Sequence, residues 1–137
     1  MSSDAEEVEQ IKQKKMVEMM GRSNDREQEL TGEPVLVSDS DFDEFVKKHS
    51  KAVIDCWAPW CGPCRMLSPT IDALAKDMKG EVAFGKLNTD DNFRISGKYR
   101  VSSIPTLLLF KDGQLVDRMV GAAPRTMVEQ TIRKALG

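Results

Sequence analysis

The feature that most limits how this chain can fold is an apolar strand running into a cysteine pair. Lys51–Trp57 reads as a buried strand, with Asp55 the one acid in AVIDCW, and Ala58-Pro59 leads from it into Trp60-Cys61-Gly62-Pro63-Cys64. A helix then runs from the cysteines to about Lys79, with Met66, Leu67, Ile71, Leu74 and Ala75 facing inward. Pro63 fits the first helical turn, where its missing N–H costs little, while Pro69 is expected to kink the helix. The i, i+3 spacing puts both sulfurs on one helical face, close enough to bridge.

The alternation of strand and helix continues on both sides of this unit. Residues 34–37 read as a short strand, and Ser38-Asp39-Ser40-Asp41 offers caps for a helix with Phe42, Phe45 and Val46 on one face. Residues 81–87 read as a strand and residues 92–99 as a short helix. Strands at 106–110 and 114–120 meet at Asp112-Gly113, a strong hairpin signal, and residues 125–136 form a closing helix. Strands alternating with helices, then a hairpin, predict an α/β fold with a mixed central β-sheet flanked by helices.

Residues 1–33 differ from the rest and hold nine acidic and five basic residues. Residues 6–20 avoid Gly and Pro and favour helix formers, with Ser3 or Asp4 as a cap and Gly21 as a stop. Val8, Ile11, Met16, Met19 and Met20 fall on one half of a helical wheel, interrupted by Lys12 and Lys15, and a polar linker follows. The expected organisation is an N-terminal extension over residues 1–33, helical or disordered, and one domain over residues 34–137. The extension is either a solvated, frayed tail helix or one that docks on a partner or on the body of the protein.

A net charge of −2 argues against nucleic acid as a partner. No apolar run approaches the roughly 18 residues of a membrane helix, so no membrane partner is expected. The acidic start lacks the apolar core of a signal peptide, which predicts a cytoplasmic protein. Three cysteines are too few for a disulfide framework, and with His49 as the one histidine the chain has no second ligand pair at the spacing of a structural zinc site; no metal is expected. In a cytosolic chain, a close pair of this kind reads as redox-active.

The start of a helix supplies unpaired N–H groups and a positive end, which favour a thiolate on Cys61. Cys64, one turn inside, is expected to be the more buried. Cys61 is therefore the candidate nucleophile and Cys64 the resolving thiol, acting through a mixed disulfide with the target. Asp55, in an apolar strand, is expected to have a raised pKa through desolvation. No glycine fingerprint such as G-x-G-x-x-G is present, so electrons must come from an external donor, and no cofactor is expected beyond the redox-active Cys61–Cys64 pair.

WCGPC after AVID, followed in order by KLN, SIPT, KDG and VGA, closely resembles the thioredoxin family from about Pro34 to Gly137. The resemblance implies the thioredoxin fold and the activity of a protein-disulfide reductase. It implies a monomer that acts on disulfide-containing target proteins and is recharged by a thioredoxin reductase or a glutaredoxin-like donor. By resemblance Asp55 is the buried acid that moves a proton to or from Cys64, and Lys86 is the lysine beside it. Pro105 matches a cis-proline facing the active site, and Ile104 offers the backbone groups that hold the target as an added strand. Trp60, Gly62, Pro63, Ile104, Gly121 and Ala122 match the flat apolar rim that receives the target. Trp57 matches a tryptophan that supports the catalytic loop.

Two other readings stand beside the reductase. One is an oxidant or isomerase of the same fold; Gly62-Pro63 resembles the reducing members, since the others usually carry a histidine between the cysteines. The other is a binding subunit docked through its tail, against which the intact WCGPC argues. Cys56 stands where the family more often has phenylalanine. As a strand neighbour of Asp55 it points to the other face, either as a small hydrophobe or as a third, regulatory thiol. His49 reads as a surface residue near a helix end.

Overall fold

The computed structural model of the protein describes residues 32–137. The expected helix over residues 6–20 lies outside the described residues. Five strands and four helices follow in order: β1 (Val35–Val37), α1 (Phe42–Lys48), β2 (Lys51–Trp57), α2 (Gly62–Asp77), β3 (Ala83–Asn88), α3 (Phe93–Lys98), β4 (Thr106–Lys111), β5 (Gln114–Val120) and α4 (Arg125–Leu136). The strands form one sheet in the order β1-β3-β2-β4-β5. β3 pairs parallel with β1 and β2, while β4 pairs antiparallel with β2 and β5. The sheet is therefore mixed, as the strand pattern predicts.

Strand parity divides the core into two layers. Val53, Phe84, Leu107 and Leu109 point to one face, against Leu67, Ile71, Leu74 and Ala75 of α2 and Val128, Ile132 and Leu136 of α4. Ala52, Ile54, Cys56, Leu87, Leu108 and Phe110 point to the other, against Phe42, Phe45 and Val46 of α1 and Ile95 of α3. Because β2 lies at the centre and is covered on both faces, it reads as a nearly continuous apolar run.

Several local expectations are revised. Met66 is 75% exposed and does not face inward. The buried series of α2 is Leu67, Ile71, Leu74 and Ala75, and at about 100° per residue Met66 falls off that stripe. As expected, Pro69 lies inside α2, which spans Gly62–Asp77. β3 starts at Ala83, because the amides of Glu81 and Val82 still bond to the carbonyl of Met78, at 2.9 and 3.0 Å, in the turn that closes α2. Asp41 is the N-cap of α1 but makes no capping bond there; its carboxylate accepts the Ser38 amide at 2.7 Å. Asp39 instead accepts the amides of Arg94 and Ile95, both at 2.9 Å, and so caps α3 from across the sequence.

Gly85 leaves room for three side chains that meet over the α1 face of the sheet. A Cβ there would lie 2.7 Å from Val37 Cγ2, 3.0 Å from Ile54 Cδ1 and 3.2 Å from Phe45. Gly85→Ala should destabilise the protein by about 1–3 kcal/mol through overpacking, and Gly85→Val by more. Urea unfolding midpoints would check this; an unchanged midpoint for both variants would contradict the packing described.

Candidate active site

β2 and α2 build the site together. The chain leaves β2 at Trp57 and turns through Ala58–Pro59–Trp60, with the Cys61 amide bonded to the Ala58 carbonyl at 3.2 Å. Cys61 is the N-cap of α2, with Gly62 and Pro63 as its first two helical residues. Here a sulfur does what a cap oxygen usually does: Cys61 Sγ accepts the Cys64 amide at 3.2 Å. Cys61 and Cys64 are joined in a disulfide with their Cα atoms 5.3 Å apart. Each is 3% exposed, so the expected difference in burial between the two residues is absent in this disulfide form.

The loop before β4 closes the site from the other side. Ile104 packs with Trp57 against Ala58, Cys61 and Cys64, and its carbonyl oxygen lies 3.8 Å from Cys61 Sγ. The Ile104–Pro105 bond is cis. The Pro105 carbonyl accepts the Gly121 amide at 2.8 Å, bringing the residues after β5 up to the same loop. Gly121 has φ +93°, a conformation that suits glycine, and neither it nor Gly62 has any atom near the place a Cβ would occupy. Pro63 and Ala122 are exposed. Trp60, 68% exposed, is tied sideways: its indole N–H donates to both carboxylate oxygens of Asp90 at 3.1 Å.

In the strand that feeds the disulfide, Asp55 is 2% exposed. It lies beside Lys86 in the parallel ladder of β2 and β3, on the face covered by α2. Burial pushes its pKa from 3.8 up to about 6; the Lys86 ammonium pulls it down and the Asp72 carboxylate pushes it up. Lys86 donates to Ser68 Oγ at 3.1 Å and stands 5.4 Å from the Trp57 ring centroid. Cys56 points to the opposite layer and is fully buried. Burial first, and the Asp55 charge second, push its thiol up to about 12. A thiol so held stays protonated and packs as a small hydrophobe. His49 caps the end of α1 with its ring 4.9 Å from that of Phe45.

Asp90, Ser68 and Asp72 are site neighbours that the sequence reading missed. Asp90 lies in an Asx turn, Asn88-Thr89-Asp90, at the end of β3, and it comes near Trp60 only through the register of Trp57 with Asn88. Ser68 and Asp72 stand one and two turns beyond Cys64, but their relevance depends on the register that puts Lys86 beside Asp55. Among the described residues, no cluster of three or more His, Cys, Asp or Glu could hold a metal ion. Also among them, no helix is long and apolar enough to cross a membrane.

A redox disulfide at the N-terminus of a helix, fed by the central strand of a five-stranded mixed sheet, defines a thiol–disulfide oxidoreductase. The model of the thioredoxin family matches residues 33–134. Thioredoxin 1 of Nostoc sp. is 46% identical over 101 residues, covering 73% of this chain and 94% of that protein. A chloroplastic M-type thioredoxin of Pisum sativum is 43% identical over 107 residues, covering 77% of this chain and 62% of that protein. Among solved structures, a mutant thioredoxin from Halobacterium salinarum superposes with a TM-score of 0.72 at 30% identity, over 78% of this chain and 94% of that one. The chain belongs to the thioredoxin family, as a thioredoxin-type protein-disulfide reductase with Cys61–Cys64 as its redox disulfide.

The raised pKa of Asp55 has a consequence for stability. Below about pH 4 the carboxyl is protonated whether the chain is folded or not. Between pH 4 and 6 the folded protein keeps the proton and the unfolded chain releases it, so stability falls as pH rises. Above pH 6 the loss is complete, at about 3 kcal/mol from 1.36 kcal/mol per unit. Denaturant unfolding of the protein and of Asp55→Asn at both ends of this window should show the native chain losing about that much relative to the variant. A constant difference between the two would contradict a raised pKa.

Proposed function

We propose that the protein reduces disulfides in target proteins, with Cys61 as nucleophile, Cys64 as resolving thiol and Asp55 as the proton acceptor for Cys64. The observation that carries this is the Cys61 sulfur at the N-terminus of α2, accepting the Cys64 amide, with a buried acid of raised pKa in the adjoining strand. The Cys61 thiolate attacks one sulfur of the target disulfide. The target S–S bond breaks, and its other sulfur leaves with the electron pair and takes a proton from water. Asp55 then removes the Cys64 proton, and the Cys64 thiolate attacks Cys61 Sγ. The bond from Cys61 to the target breaks, and the second target sulfur leaves as a thiolate to be protonated in turn. Two electrons pass to the target, and the Cys61–Cys64 disulfide remains.

The target lies as an added strand along the backbone of Ile104 and Pro105, on a rim made by Trp60, Gly62, Pro63, Gly121 and Ala122. The open space above Gly62 and Gly121 supports this reading. Lys86 sets the charge beside Asp55. The protein works as a monomer, and an external donor, a thioredoxin reductase or a dithiol protein, returns it to the reduced form. A reducing compartment such as the cytoplasm suits that cycle.

Cys64→Ser should accumulate a mixed disulfide on Cys61 with a disulfide-containing protein, seen as added mass that reductant removes. Cys61→Ser should trap nothing and reduce the target no faster than buffer. Asp55→Asn, with Cys64 intact, should slow release of the target from its mixed disulfide with Cys61 at pH 7 about 10²-fold or more. A mixed disulfide in Cys61→Ser, with none in Cys64→Ser, would reverse the two roles.

A further inference from the structure

Asp55 and Lys86 are side by side in the β2–β3 ladder, yet the acid does not hold the ammonium. Asp55 Oδ1 is buried and has no hydrogen-bond partner. Lys86 Nζ donates to Ser68 Oγ at 3.1 Å instead and leans over the Trp57 ring. Ser68 stands on α2 one turn after Cys64 and one turn before Asp72. A helical serine often bonds back to the carbonyl four residues earlier, here that of Cys64, but this hydroxyl faces the lysine. It is a neutral acceptor, so it holds the cation without adding a charge of its own.

The surroundings of Asp55 make that choice consequential. α2, packed over this face of the sheet, carries the Cys61 and Cys64 sulfurs at its start and the Asp72 carboxylate further along. On β3 the ladder partner of Asp55 is Lys86, and on β4 it is the uncharged Leu107. Glu33 and Lys76 line the cleft that Lys86 and Asp72 share. Lys86 is thus the one cation in the Asp55 ladder pair, and its position decides how strongly the carboxylate form is favoured. Were Lys86 to pair with Asp55 directly, the acid would be held ionised and would pass on a captured proton more readily than it took one.

We propose that Ser68 is a positioning residue for the resolving step: its hydroxyl takes the Lys86 ammonium that would otherwise pair with the Asp55 carboxylate, and so keeps that carboxyl free to accept the proton of Cys64. The inference rests on the reading of Asp55 as the proton acceptor. It adds to that reading a residue one helical turn from the resolving thiol that acts through the lysine and not on the sulfurs.

The test is the titration of the Asp55 carboxyl carbon by NMR in the oxidised full-length protein, in Ser68→Ala, Ser68→Thr and Lys86→Met, and in the double variant Ser68→Ala/Lys86→Met. Ser68→Ala should lower the Asp55 midpoint by about one unit as the lysine turns to the carboxylate. Ser68→Thr keeps the hydroxyl and should titrate as the native protein does. The double variant should match Lys86→Met, because Ser68 acts only through the lysine. An unchanged or raised midpoint in Ser68→Ala, or a double variant that departs from Lys86→Met, would overturn the proposal. The pH profile of mixed-disulfide release, measured on the same variants, should follow the carboxyl midpoint. A carboxyl that moves while the kinetic profile stays put would leave Ser68 as the positioner of Lys86 and remove Asp55 from the proton-transfer role.

Discussion

The rest of the site depends on the contact between the Cys64 amide and the Cys61 sulfur. It makes Cys61 the N-cap of α2 and points the positive end of that helix at a sulfur. A favourable helix terminus stabilises a charge by up to about 2 kcal/mol, and one pKa unit is about 1.4 kcal/mol. On that basis the start of α2 holds the free Cys61 thiol below the ordinary thiol range. No histidine is needed as a base. His49 sits at the far end of α1, packed on Phe45.

The sheet separates the chemistry of neighbouring residues. Asp55 and Cys56 are adjacent in β2, but their side chains enter different layers. On one side burial leaves an acid at about 6, within reach of neutral pH; on the other it leaves a thiol at about 12, silent under the same conditions. A slip of one residue in β2 would exchange them. The pairing of β2 with β3 on one side and β4 on the other prevents it. Packing of the core and control of proton transfer are thus one constraint.

What the sequence made legible was local. The apolar β2, the glycine-proline pair between the cysteines and the Asp112-Gly113 hairpin each carry their signal within a few residues. Asp112 and Gly113 indeed take φ +51° and +82°, as the turn requires. The resemblance to the thioredoxin family supplied what no local pattern contains, the cis bond before Pro105 and the place of Lys86 beside Asp55. The missed features all join residues distant in sequence. Asp39 caps α3 from 55 residues away, Trp60 bonds to Asp90 across 30, and Lys86 bonds to Ser68 across 18. Each depends on strand order, which periodicity does not give. Met66 defeats the periodicity because an apolar residue beside a buried stripe looks like part of it.

The most direct test of the account is the pKa of the Cys61 thiol in the reduced protein, followed by the ultraviolet absorbance of its thiolate with Cys64→Ser as the only change. If the start of α2 activates this sulfur, the thiol titrates well below the ordinary thiol range. A value of about 8.5 or above, that of a thiol in water, would mean that the helix does not activate Cys61 and would contradict the account.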